Sequence, residues 1–251
     1  MSELVSLRSD GNVAVITIDN PPVNALNHAV RAGLVDAVSR ARADAGTAAI
    51  VIVCAGRTFI AGADIGEFGK PAREPTTIDV IAAIETSEKP VIAAMHGTPL
   101  GGGLEVALGC HCRVAAPGTR LGLPEIKLGI LPGGGGIARL VRAAGATAAR
   151  YMCFTGAIID AKRALELSLV SDVHDEDGFD TQVKTLAAAL AGSSRPALRA
   201  MKNALRLAGE TRLAEAVQQE AQIGAELYGS PEQRTAMSEF LAARARKKAV
   251  R

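Results

Sequence analysis

The run from Ala48 to Ala55, with Ile50-Val51-Ile52-Val53 at its centre, constrains the fold more than any other stretch. It shows no polar alternation, so as a strand it has no wet face and belongs in a parallel sheet covered on both sides. It is far shorter than the ~20 apolar residues of a membrane-spanning helix. Around it the chain alternates strand and helix signals. Leu4 to Arg8 and Val13 to Ile18 flank Asp10-Gly11, a strong hairpin signal. After the Pro21-Pro22 break, Asn27 to Ala43 carries Val30, Leu34, Val35 and Val38 at helical spacing. A helix over Ile78 to Ser87, a strand over Val91 to Met95, a short helix from about Gly102 and a strand over Arg113 to Ala116 follow. This order implies right-handed crossovers in an α/β fold. Beyond Asp177 the strand signal ends, and helices are expected over Thr181 to Leu190, Pro196 to Leu207, Leu213 to Leu227 and Pro231 to Lys247. Residues 1–190 are expected to form the core with the active site, and residues 191–251 a helical region for oligomer packing and pocket closure.

Composition excludes several function classes. The net charge is +2, Trp is absent, and there are only two Tyr and five Phe, which disfavours nucleic acid as a partner. The basic run Arg244, Arg246, Lys247, Lys248 and Arg251 reads as a solvated terminus, with phosphate contact the minority reading. An acidic N-terminal Met1-Ser2-Glu3 disfavours a secretion signal. Four cysteines in 251 residues make no disulfide framework, so a reducing, cytoplasmic setting is expected. Phosphate-loop, dinucleotide, zincin and serine-elbow signatures are all missing. In Cys110-His111-Cys112 neighbouring side chains of a strand point to opposite faces, and no second cysteine pair stands at zinc spacing, so no metal site is expected.

Three glycine-rich turns lie at or soon after strand ends: Gly56 to Ile65, Gly101-Gly102-Gly103-Leu104-Glu105, and Pro132-Gly133-Gly134-Gly135-Gly136. Any one of them alone reads as a tight turn. Together they offer backbone N–H groups to a ligand at the carboxyl ends of strands, with Glu105 and Glu125 close in sequence to two of them. Two amides aimed at a carbonyl oxygen stabilise the charge that builds when water attacks a conjugated thioester. Two carboxyls that hold one proton between them supply its base and its acid. The plain alternatives are a helix-start glutamate at 105 and an exposed loop carboxylate at 125.

These segments resemble the crotonase superfamily, the enoyl-CoA hydratase/isomerase group, over nearly the whole chain. Phe59-Ile60-Ala61-Gly62-Ala63-Asp64-Ile65 is similar to its coenzyme A and oxyanion segment, and His96 to Glu105 to its second oxyanion segment with a catalytic glutamate. Gly122 to Gly133 is similar to the segment with the second glutamate, and Asn20 to Leu26 to one lining the coenzyme A channel. The resemblance implies a crotonase-like spiral of ββα units with a C-terminal helical region, assembled as a homotrimer or homohexamer. It implies that Ala63 and Gly102 hold the thioester oxygen, that Glu105 and Glu125 activate water, and that Gly133 lines the acyl or water pocket. Val23, Ala25, Ala61, Ala63, Asp64, Ile65 and Phe240 would contact coenzyme A, which enters as part of the substrate with no separate cofactor. Ala243 stands where relatives often carry a lysine, with Arg244 one position later. The implied reaction is hydration of a trans-2-enoyl-CoA to a 3-hydroxyacyl-CoA. The alternatives are double-bond isomerisation on the same scaffold and a noncatalytic acyl-CoA-binding protein.

Overall fold

The computed structural model describes residues 4–249. Its main sheet contains β1 (Val5–Asp10), β2 (Val13–Ile18), β3 (Ala49–Cys54), β4 (Val91–Met95), β5 (Cys112–Ala115) and β8 (Asp172–Val173), in that spatial order. The hairpin β1–β2 is antiparallel, and every later neighbour pairs in parallel. Between the parallel strands run α1 (His28–Ala43), α2 (Thr77–Glu85) and α3 (Gly102–Gly109). Because each strand is added beside the one before it, crossovers of one hand place these helices on the same face. A short antiparallel pair, β6 (Arg120–Gly122) with β7 (Ile158–Asp160), forms a second layer of pairing.

The period of two divides the strands between two cores. Ala14, Ile16, Ile18, Ile50, Ile52, Ala93 and Met95 pack with Leu34, Ile81, Ile84 and Leu104 of the covering helices. The intervening Val13, Val15, Ala49, Val51, Ile92 and Ala94 pack with Val183, Ala187 and Ala191 of α6 (Phe179–Ala191). The continuous apolar run is therefore buried on both sides, as expected. α4 (Gly136–Thr155), interrupted at Gly145, and α5 (Ala161–Glu166) complete this part. Sequence reading assigned neither helix, nor β6, β7 and β8.

The chain divides into two compact units, one ending at Gly192 and one starting at Ser193. The second consists of α7 (Arg195–Glu210), which packs on α8 (Leu213–Ala225), and α9 (Pro231–Ala249). Of the basic C-terminal run, Arg251 and the side chains of Lys247 and Lys248 lie outside the described residues.

Candidate active site

One wall is built from two extended segments. Asn24 is buried in a left-handed backbone conformation (φ 53°). Its Nδ2 donates to the carbonyls of Ala55 and Thr58 at 2.8 Å each, and its Oδ1 accepts from Asn20 N at 2.7 Å. Asparagine tolerates such a φ and bonds its neighbouring backbone. This knot ties residues 20–26 to the turn after β3. Ala61 N then donates to Val23 O (3.1 Å) and Leu26 N to Gly62 O (2.8 Å). Val23, Ala25, Ala61 and Ala63 thus lie along one strip. Asp64 Oδ1 accepts from Gly66 N (2.8 Å) to start a short 3-10 turn, and Ile65 beside it is 73% exposed.

Arg31, on α1 and missed at the sequence level, clamps this strip. Its guanidinium donates to Glu67 Oε2 (2.7 Å), Leu26 O (3.0 Å) and Pro75 O (2.8 Å). Glu67 Oε1 also accepts from His28 N (2.7 Å). Burial works against the Glu67 charge, but these donors hold its carboxyl below the usual range.

The second wall is α3, whose eight residues are all buried. Gly101 precedes it at φ 51° and provides no side-chain cap, so the N–H groups of its first turn are not answered from within the helix. Gly103 permits a close approach: a Cβ there would lie 1.8 Å from Ile60 O. A Cβ on Gly102 would lie 3.5 Å from Ala63 N, so the two backbones meet. Among the described residues, no hydrogen bond engages Ala63 N or Gly102 N. Two amides from separate segments are thereby left for a ligand atom, one of them at a helix N-terminus that favours negative charge.

The carboxyls differ in their surroundings. Glu105 is 2% exposed, and its Oε1 accepts from Gly134 N and Gly136 N at 2.8 Å each. Burial pushes its carboxyl up, while those two donors and the Arg139 charge oppose the rise. Glu125 sits at the start of a 3-10 turn (Glu125–Leu128) rather than in an irregular loop. Its Oε1 is 3.0 Å from where a Cβ on Gly101 would be, and its Oε2 is buried without a protein partner among the described residues. Burial pushes Glu125 up, and the Glu105 charge pushes it further. The two carboxyls therefore sense each other across the start of α3.

Other singled-out residues fall elsewhere. A Cβ on Gly133 would meet nothing within 4 Å, so that position borders open space. Phe240 lies on α9 in the second unit and is 63% exposed. His96 Nε2 bonds Gly56 O (3.1 Å), and His111 Nδ1 accepts from Val91 N (3.0 Å). Cys110 is fully buried with its thiol pushed up to about 12, which suits packing rather than reactivity. A cavity of about 410 Å³, lined by Arg8, Val13, Val51 and Lys184 among others, lies between the sheet and α6; none of the candidate catalytic groups lines it.

Comparison with known proteins gives the same direction. The chain is 38% identical to the 2,3-dehydroadipyl-CoA hydratase of Escherichia coli (strain K12), covering 96% of each. It is 47% identical over 166 residues to the peroxisomal bifunctional enzyme of Danio rerio, but spans only 23% of that longer protein. The crystal structure of an enoyl-CoA hydratase from Bacillus anthracis superposes with a TM-score of 0.90 at 28% identity, covering 96% of both chains. Residues 8–247 match the family described as enoyl-CoA hydratase/isomerase. With nearly its whole length matched, the chain belongs to the enoyl-CoA hydratase/isomerase family.

Proposed function

We propose that this chain is an enoyl-CoA hydratase that adds water to a trans-2-enoyl-CoA and yields a 3-hydroxyacyl-CoA. The observation that carries the proposal is the pairing of two unengaged amides, Ala63 N and Gly102 N, with two coupled carboxyls of unequal surroundings. The amides hold the thioester oxygen and stabilise the enolate that forms as water reaches the β-carbon. Glu105, with two N–H donors and a cation acting on it, is the ionised base that takes a proton from water. Glu125 has only its own backbone N–H as a donor, no cation beside it, and feels the Glu105 charge, so it is the protonated partner that delivers a proton to the α-carbon. The coenzyme A portion lies along Val23, Ala25, Ala61, Asp64 and Ile65, with Gly133 bordering the acyl or water pocket. No separate cofactor takes part.

The reading extends to assembly and setting. Met201, Leu205, Leu213, Val217, Phe240 and Leu241 are all more than half exposed in the helical unit, which supports self-association as a homotrimer or homohexamer. The four cysteines are free, which fits a cytoplasmic location, and no helix among the described residues is long and apolar enough to cross a membrane.

Crotonyl-CoA tests the reaction. Hydration removes the conjugated enoyl absorbance, whereas a noncatalytic binder leaves it unchanged and sinks the proposal. An isomerase would leave crotonyl-CoA unhydrated and instead raise that absorbance when given a 3-enoyl-CoA.

A further inference from the structure

The loop that holds Glu105 is itself held by charges placed against their helices. Glu85 is the last residue of α2, where an anion meets the negative end of the macrodipole. Arg139 is in the first turn of α4, where a cation meets the positive end. Each charge is disfavoured by its own helix, yet the two are joined by a two-point pair, Nε to Oε1 at 2.6 Å and Nη2 to Oε2 at 2.7 Å. The remaining nitrogen, Nη1, donates to Gly134 O at 2.7 Å. The same Gly134, with Gly136, sends its N–H to Glu105 Oε1. Room for this depends on Gly135, whose φ is 85° and where a Cβ would lie 2.6 Å from Arg139 Nη1.

We propose that Arg139, fixed from behind by Glu85, is a positioning residue for the base: it locks the Gly134 peptide so that two N–H groups stay aimed at Glu105 Oε1, and it sets a fixed positive charge toward that carboxylate. Arginine suits the task because its planar fork bonds a carboxylate at two points and still has a donor left over. Lysine has one ammonium and cannot hold both partners in the same geometry. The charged groups acting on Glu105 are Arg139 from α4 and Glu125 from the 3-10 turn, with Glu85 at the end of α2 acting through Arg139.

The proposal deepens the hydratase reading and rests on it for the word base. The test therefore includes a measurement that needs no turnover. Protein labelled with 13C at the glutamate carboxyl is titrated by NMR, and the Glu105 resonance is assigned as the one missing from Glu105→Gln. Arg139→Gln is expected to raise the pKa of Glu105, because a stabilising charge is lost. Glu85→Gln, which removes the anchor behind Arg139, is expected to raise it too, by less than Arg139→Gln, because the Gly134 carbonyl loses its lock while the cation stays nearby. A pair that acted on Glu105 through charge alone would instead lower it in Glu85→Gln, where a repelling charge is lost.

With crotonyl-CoA, Arg139→Gln should lower kcat by about tenfold or more near neutral pH, with KM within about twofold and the acidic limb moved upward. Arg139→Lys should restore the limb more than it restores kcat. Identical Glu105 titration in wild type and Arg139→Gln overturns the proposal. If Arg139→Gln does not fold, a Glu105 titration that is unchanged or lowered in Glu85→Gln overturns it equally. Expected NMR shifts in a protein that hydrates no enoyl thioester would keep the positioning role and remove the hydratase reading.

Discussion

Gly136→Ala adds one methyl group to the first residue of α4, and the site responds to it in a way that can be worked through. The new Cβ would stand 2.9 Å from both Cγ and Oε1 of Glu105 and 3.1 Å from Leu123 Cδ1. Ordinary carbon contacts lie at about 3.5–4.0 Å, so something must give. What gives is the end of the Glu105 side chain, since no backbone atom is among these nearest contacts. For the helix itself, glycine to alanine is favourable by roughly 0.5–1 kcal/mol. For the carboxylate, displacement weakens two hydrogen bonds to a charged group, each of about 1.5–3 kcal/mol. Losing the equivalent of one is roughly a 10- to 150-fold fall in kcat. KM should change by no more than about twofold, because Ala63 and Gly102 are untouched. Initial rates across a crotonyl-CoA series, with thermal unfolding of the same preparation, read both quantities. Turnover within about twofold of wild type would refute the reasoning, and so would a loss of turnover matched by a lower Tm. Gly133→Ala, where a Cβ meets nothing within 4 Å, is the control and should keep the wild-type Tm.

Glu105→Gln and Glu125→Gln should each cut turnover by at least about 100-fold in a folded protein, measured by stopped assays and circular dichroism; near-normal turnover in either would contradict shared acid and base work. Both carboxyls are raised, so kcat should follow a bell. It falls with decreasing pH as Glu105 gains its proton and with increasing pH as Glu125 loses one, with an acidic limb above the ordinary carboxylate range. Gly102→Pro removes one oxyanion donor at a helix position that accepts proline, so kcat should fall about 100- to 1,000-fold while product affinity holds; the reverse pattern counts against the oxyanion assignment. Arg31→Met takes the Arg31 donor from Leu26 O, Pro75 O and Glu67 Oε2, and chemical denaturation should show a loss of about 3 kcal/mol; a loss under about 1 kcal/mol would mean that Arg31 is not a clamp.

Much of the frame was legible because burial on both faces leaves a plain mark: Ile50 to Val53 reads as a parallel strand, and the Asp10-Gly11 turn with its flanks reads as a hairpin. The same clarity failed at β6, β7 and β8, which are two or three residues long and show no period. α4 was missed because it starts inside a glycine run and is broken at Gly145, both of which read as loop. The oxyanion strip and the glutamates were visible as glycine clusters with nearby carboxyls. Their inequality was not, because it depends on where Gly134 and Gly136 point and on which residue Arg139 meets 54 positions away. Arg31 was hidden for a similar reason: three of its acceptors are a carboxylate and carbonyls brought near only by folding.

The thioester carbonyl itself reports most directly on the convergence of the two amides. Crotonyl-CoA labelled with 13C at that carbonyl, bound to the Glu105→Gln, Glu125→Gln double variant so that turnover is suppressed, gives an isotope-edited infrared band. A carbonyl stretch moved below its value in water, and moved back toward that value when Gly102→Pro is added, is the expected result. A stretch at the free-substrate value in the double variant, or one indifferent to Gly102→Pro, would show that the two N–H groups do not meet the substrate oxygen.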